Sequence, residues 1–248
     1  MKEENENIID FLQSIISHFI MGNIIVCDQL FEISAPVLSW RDENGKSFYP
    51  YPKSFSKRDL SLPDLQKQIN SIIIHHSQTF SAVNTFNVLV SRGLSVTFII
   101  DDDNIDGVST IYQCLDVKEA AYSNKPLNFS AVGIEVSYMA FRDKSYYKDG
   151  RHEESEDFIR GAKIQGYIPS PAQVKATAIL CQGLKKAFPS LSLKFPRDEE
   201  GNIIKSKIKD PKGLLNHYNI SDDKIDPLCF SHDDFEDIIE GNEIYDQL

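Results

Sequence analysis

The amino-acid sequence predicts an α/β protein, with a mixed central β-sheet flanked by helices and an N-terminal helical extension. Three segments, "SIIIHH", "LSVTFIID" and "SAVGIEVSYM", are short and rich in β-branched or aromatic residues, as buried strands are. A longer segment, "SPAQVKATAILCQGLKKAF", begins with Ser170 as a helix N-cap and Pro171 at the first helical position. The length of 248 residues suits one large domain with an extension.

Residues 1–65 are predicted to form the extension and residues 66–248 the main domain. The apolar spacing from Ile8 to Ile16 favours an amphipathic helix, which we expect to continue to about residue 26 and to dock on a partner protein. The following stretch, "VLSWRDENGKSFYPYPKSFSKRDLSLP", is typical of an irregular connector. An acidic "MKEENEN" and Asp10 argue against a signal peptide and against membrane insertion.

The last third of the chain is predicted to be more irregular. The charged stretch "AFRDKSYYKDGRHEESEDFIRGAKIQGYI" is interpreted as a solvated insertion, and "LLNHY" as a short strand after a turn-rich segment. His152 and His232 are expected to be exposed. Asp101, Asp102 and Asp103 lack the spacing of a calcium loop and are expected to close a hairpin.

Charge and cysteine content exclude some function classes. The net charge of −11 and a pI near 5.0 oppose nonspecific binding to nucleic acid, which requires a basic surface. The four cysteines are scattered without a CxxC pair, so we expect reduced thiols and neither a zinc ribbon nor a dense disulfide framework.

One strand carries a candidate catalytic carboxylate. In "AVGIEVSYM" the period of two places Glu135 on the same face as Ala131, Gly133 and Ser137. Small neighbours leave room for a ligand, and partial burial raises the proton affinity of a carboxylate. An edge-strand glutamate in water is an equally good interpretation of this strand alone.

Two histidines end apolar strands in a chain with six histidines. His75 follows "III", and His217 follows "GLLN". Asp226 could complete a zinc site from a loop, because catalytic zinc takes three protein ligands and keeps a fourth position for water. Cys229 is a weaker candidate for the third ligand. A single histidine in such a place is more often a hydrogen-bonded core residue.

Four segments in this order, "IIIHHS", "NFSAVGIEV", "SPAQVKATAILCQGL" and "LLNHYNISDDKIDP", resemble the type 2 N-acetylmuramoyl-L-alanine amidases. This superfamily includes the peptidoglycan recognition proteins and phage amidase lysozymes. The similarity covers about residues 70–230 and implies the amidase fold.

The resemblance also implies residue roles. His75, His217 and Asp226 would bind Zn²⁺, whereas His76 matches a position that is not a ligand. Glu135 would be the general base, and Lys224 would assist the oxyanion. The implied reaction is zinc-dependent hydrolysis of the amide between N-acetylmuramic acid and L-alanine, with peptidoglycan or muropeptides as substrate.

The sequence departs from the family in several places. Val96 and Thr97 stand where many members have tyrosine or histidine, "DPG" is replaced by "DPL", and Tyr122 stands near a position often held by histidine. We expect Tyr122 and Asn128 to contact substrate.

Other functions stay open at this point. One is a peptidoglycan-binding protein without catalysis; another is a phage structural or assembly protein that retains the fold. Without a signal peptide, we expect cytoplasmic synthesis, either as a recycling amidase or as a phage endolysin released by a holin or carried in the virion.

Overall fold

The computed structural model describes residues 21–141 and 152–241. The strands are β1 (Gly22–Val26), β2 (Gln29–Ile33), β3 (Val37–Ser39), β4 (Phe55–Ser56), β5 (Ser71–His76), β6 (Phe98–Ile100), β7 (Ile111–Gln113), β8 (Ala120–Ala121), β9 (Ala131–Val136), β10 (Glu154–Ile159), β11 (Ala162–Tyr167) and β12 (Gly213–Asn216). The helices are α1 (Leu62–Gln68), α2 (Ala82–Ser91), α3 (Pro171–Ala187) and α4 (His232–Glu240), with a 3₁₀ turn at His217–Asn219.

A six-stranded mixed sheet, in the order β12-β5-β9-β6-β7-β3, forms the centre of the molecule. Neighbouring strands are parallel except for the antiparallel pair β6 and β7. The predicted α/β fold with a mixed central sheet is thereby confirmed.

The two faces of the sheet pack against different helices. Ile72 and Ile74 of β5 belong to the large core that contains α3, whereas Ile73 points to the opposite side. Helix α2 packs on that opposite side, where Phe86 and Leu89 contact a second cluster. The alternation follows from the period of two along each strand, and it decides which face carries the site.

Helix α3 begins as predicted. The Ser170 hydroxyl accepts a hydrogen bond from Gln173 N, and Gln173 Oε1 accepts one from Ser170 N, which completes a capping box. Gln173 Nε2 also donates to Ser137 O at 2.7 Å. The cap therefore ties the start of α3 to the end of β9.

The predicted helix is wrong for residues 22–26, which form β1 of an antiparallel hairpin with β2. Tertiary packing explains the difference, because Ile24 and Ile33 are buried in the core beside α3. A side chain at Gly183 of α3 would place its Cβ 2.3 Å from Ile33, so the hairpin and the helix are in close contact.

The predicted connector also contributes to the sheet. Its β3 pairs with β7 at the edge. Residues 1–20 and their predicted helix lie outside the described residues, and the boundary near residue 65 stays a prediction. In the described chain, no helix has both the length and the apolar character needed to cross a membrane.

Two parts of the predicted insertion differ from expectation. Residues 154–167 form the antiparallel hairpin β10–β11. His152 is buried rather than exposed, because its Nε2 lies 2.8 Å from Asp102 Oδ1 and its Nδ1 lies 2.8 Å from Ile168 O. His232 is also buried, with its Nε2 3.0 Å from Asn216 Nδ2. Asp101, Asp102 and Asp103 begin the connection, residues 101–110, between the antiparallel strands β6 and β7, in agreement with the predicted hairpin.

Candidate metal centre and active-site cavity

Three parallel strands bring the predicted site residues to one edge of the sheet. His75 and Glu135 are paired in register across β5 and β9, and His217 directly follows β12, the other neighbour of β5. Each of the three lies two residues after a residue on the face opposite the α3 core: Ile73, Gly133 and Leu215. Carboxyl ends of parallel strands are a frequent place for ligand sites in α/β proteins.

The side chains of His75, His217 and Asp226 converge on a single point. His75 Nδ1 lies 3.0 Å from His217 Nδ1 and 3.0 Å from Asp226 Oδ2, and His217 Nδ1 lies 2.9 Å from Asp226 Oδ2. The two imidazole rings are nearly perpendicular, at 80°. Each group thus offers one ligand atom to a shared position.

Without a cation, three such atoms cannot all face one another with lone pairs. Burial by itself would raise the pKa of Asp226, but the hydrogen bonds to His217 and His75 hold that pKa well below its ordinary value. Burial and the neighbouring His75 lower the pKa of His217 to about 4. Burial also opposes the charge on His75, yet Asp226 raises the His75 pKa above its ordinary value. The hydrogen bonds from the two histidines thus stabilise the charged form of Asp226.

The donor set fits zinc. Tetrahedral zinc with ligand distances of about 2.0–2.1 Å separates its ligand atoms by about 3.3 Å, close to the spacing found here. Two imidazoles and a carboxylate are also a known catalytic zinc set, which leaves one position for water. His75 Nε2 lies 2.9 Å from Asn124 Oδ1, so the other ring nitrogen has the second partner that metal-binding histidines usually have.

Glu135 stands beside this cluster without a hydrogen-bond partner for its Oε2 in the described chain. The side chain is buried, with 8% exposure. Burial is the largest effect on its pKa, which rises to about 7, and Asp226 raises it further while His75, Arg92 and Lys224 lower it. A carboxylate with such a pKa can accept and release a proton near neutral pH.

The cluster and Glu135 lie in a cavity of about 850 Å³. Lys224 lines this cavity, as do three further cationic side chains, Arg92, Lys125 and Lys207. Lys207 lies 3.5 Å from Asp222, whereas Arg92, Lys125 and Lys224 have no ion-pair partner within the described residues. Four carboxylates, those of Glu135, Asp222, Asp223 and Asp226, also line the cavity, so its lining is balanced in charge on a chain with a net charge of −11.

A family model described as "N-acetylmuramoyl-L-alanine amidase" matches residues 65–229, which include both histidines, Asp226 and Glu135. This chain belongs to that amidase family. The resemblance predicted from the four sequence motifs is confirmed. A search of curated protein sequences gives no match.

Solved structures similar to this amidase family member share little sequence with it. Escherichia coli AmiD, in complex with an anhydro-N-acetylmuramic acid peptide, is 17% identical with a TM-score of 0.37 over 54% of this chain and 48% of AmiD. The endolysin LysCS from Clostridium intestinale is 14% identical, with a TM-score of 0.43 over 82% and 95% of the two chains. A point mutant of Drosophila PGRP-LB is 18% identical, with a TM-score of 0.43 over 82% and 94%. This chain thus spans about half the length of AmiD.

The remaining predicted residues have different positions in this chain. His76 is not in the metal cluster, and its Nδ1 accepts a hydrogen bond from Leu228 N. Tyr122 lines the cavity, and its hydroxyl lies 2.7 Å from Ser56 Oγ. Asn128 is not among the cavity-lining residues, and its Oδ1 accepts a hydrogen bond from Asn124 N. Cys229 is outside the cluster of possible metal ligands. Substrate contacts of Tyr122 and Asn128 stay predictions.

Sequence reasoning missed Asn124, Arg92 and Lys125. Asn124 and Lys125 lie two and three residues after Tyr122 in "AAYSNKP", and no motif in this segment predicts their contacts. Arg92 is the C-cap of α2, and only the folded chain brings that helix end beside Glu135.

Proposed function

We propose that this protein hydrolyses the amide bond between N-acetylmuramic acid and L-alanine in peptidoglycan, with zinc bound by His75, His217 and Asp226. The observation that carries the proposal is the convergence of these three ligand atoms beside the unpartnered carboxylate of Glu135. Family membership supports the choice of bond, and the cavity supports a substrate of extended size.

The residues of the chain have complementary roles in this reaction. Zinc, when bound, supplies a Lewis acid that polarises the scissile carbonyl and acidifies water. Glu135 takes a proton from the attacking water and later gives one to the nitrogen of the leaving L-alanine. Lys224 stabilises the negative charge that develops on the carbonyl oxygen. The products are a free lactyl carboxylate and a peptide with a new N-terminal alanine.

Two exposed cations on the cavity wall support the binding of anionic groups of the substrate. Stem peptides carry carboxylates, and Arg92 and Lys125 provide exposed cations on the cavity wall. Charge-assisted hydrogen bonds from such groups orient a peptide more strongly than neutral ones. We therefore assign Arg92 and Lys125 to substrate carboxylates.

The cellular setting is proposed more broadly. A phage-encoded endolysin and a host enzyme that recycles wall fragments both fit this chemistry. Docking of the N-terminal extension on a partner protein belongs to the same proposal.

Digestion of purified peptidoglycan tests the function. We expect mass spectrometry to detect stem peptides that begin with alanine, and no such release by E135Q, a variant that changes the proposed base with little change in size. Tight binding to the wall without release, by zinc-loaded wild-type protein, would instead identify a recognition protein that does not cleave.

A further inference from the structure

We infer that Asn124 is a positioning residue that fixes the tautomer and the ring orientation of His75 for metal binding. The inference rests on the proposed zinc site and goes beyond it, because Asn124 is neither a ligand nor a group that touches the reacting atoms. It acts only through His75.

The contact between the two side chains determines which ring nitrogen is available to a metal. Neutral imidazole has one N–H group, and His75 Nε2 lies 2.9 Å from Asn124 Oδ1, which can only accept a hydrogen bond. In the neutral ring the proton therefore resides on Nε2. Nδ1 then offers its lone pair toward His217 Nδ1 and Asp226 Oδ2.

The side chain of Asn124 is itself held in place. Asn124 is fully buried, its backbone N donates to Asn128 Oδ1 at 2.8 Å, and Ser123 Oγ donates to its Oδ1 at 3.1 Å. The oxygen of Asn124 that faces His75 thus has a second contact, to Ser123 Oγ.

Gly133 of β9 makes room for this amide. A Cβ at that position would lie 2.6 Å from Ser123 Oγ and 2.8 Å from Asn124 Oδ1. The absence of a side chain two residues before Glu135 lets the loop after β8 pack its amide directly over the sheet, within reach of His75.

His217 is held differently. Its ring makes the two Nδ1 contacts of the cluster, and in the described chain its Nε2 has no protein partner. Its position comes from the 3₁₀ turn, in which His217 O accepts from Ile220 N at 3.1 Å. The contact with the Asn124 amide therefore orients His75 and does not orient His217.

Zinc affinity, measured by competition with a chromophoric chelator, tests the inference without an activity assay. We expect N124L, which has similar size and no acceptor, to bind zinc about 10–100-fold more weakly than wild type. N124D keeps an acceptor for the His75 N–H, so we expect its zinc affinity to stay within about threefold of the wild-type affinity. This change is smaller than the loss of affinity expected when the hydrogen-bond partner of a ligand is removed. S130A is the matched control from the same loop, because Ser130 bonds to its neighbours through backbone atoms, and it is expected to behave like N124D.

Unchanged zinc affinity in folded N124L would overturn the role of Asn124 and leave the proposed amidase intact. Absence of zinc binding by wild type would overturn both.

A second measurement uses wild-type protein and does not depend on the folding of N124L. The tautomer of His75 is read directly by ¹⁵N NMR of zinc-loaded protein with labelled histidine. We expect His75 to carry its proton on Nε2 and to bind the metal through Nδ1. A proton on Nδ1, with the metal on Nε2, would contradict the inference.

Discussion

His75 and Glu135 face each other in register on the adjacent parallel strands β5 and β9. Adjacent strands lie about 4.8 Å apart, so the candidate ligand and the candidate base are held at neighbouring positions by backbone hydrogen bonds. No loop movement is needed to bring the carboxylate to the metal site.

Replacement of Glu135 by glutamine should separate metal binding from catalysis. E135Q keeps the size of the side chain and removes the base, so we expect about one zinc per chain and a loss of kcat of at least about 100-fold. Zinc content and turnover are measured on the same sample. Full turnover in E135Q would exclude Glu135 as the base.

Two adjacent histidines provide a matched test of the metal ligands. We expect H75A to weaken zinc binding by more than the roughly 100-fold that loss of a ligand's hydrogen-bond partner can cost. H76A should keep zinc, since His76 bonds to Leu228 N and lies outside the cluster. Zinc is measured after dialysis of both variants, and equal retention would contradict the ligand assignment.

The pH dependence of kcat/KM should show an acid limb from Glu135. The base must be deprotonated, so activity rises with pH through its pKa. Burial raises that pKa from its ordinary 4.5 to about 7 in the metal-free protein, and the charge of bound zinc lowers it again. We therefore expect the limb of the zinc enzyme between pH 4.5 and 7. A limb at the same pH in E135Q would show that another group titrates.

Removal of a cavity cation should weaken substrate binding more than chemistry. We expect R92Q and K125Q to raise KM by about tenfold each, because a charge-assisted hydrogen bond contributes about 1.5–3 kcal/mol. The control is K67Q, since Lys67 is exposed on α1 and pairs with Asp64. An unchanged KM in both cavity variants, measured at low salt, would remove them from substrate recognition.

His232 should make the protein less stable in acid. Burial lowers its pKa from 6.5 to about 4, so the unfolded chain binds a proton that the folded chain excludes. The stability is fully present above pH 6.5 and is lost as pH falls toward 4. At about 1.36 kcal/mol per unit, the loss is about 3 kcal/mol.

Denaturant unfolding of wild type and H232N at several pH values measures this contribution of His232. H232N should lose less stability than wild type between pH 6.5 and 4. Parallel curves for the two proteins would show that His232 is not responsible.

The strand periodicity correctly predicted which residues of β9 share a face of the sheet. The alternation in "AVGIEV" placed Gly133 and Glu135 together, and the structure keeps both on the side of His75. Local signals were equally reliable at the start of α3, where Ser170 and Gln173 form a capping box and Pro171 occupies the first helical position. These features depend on neighbours in sequence.

Features that depend on distant residues were not predictable in the same way. The β1–β2 hairpin had an apolar pattern that also suits a helix, and its burial beside α3 decides the outcome. His152 looked exposed because its neighbours in sequence are charged, yet its partner Asp102 is fifty residues away. Asn124 reaches His75 only after β5, β9 and the loop after β8 are assembled.

The most direct test of the central claim is digestion of peptidoglycan by the same protein sample before chelation, after removal of metal by a chelator, and after zinc is added back. The products are identified by mass. The zinc amidase proposed here predicts release of alanine-terminated stem peptides that stops with chelation and returns with zinc. Release that continues unchanged in protein shown to contain no metal would contradict it.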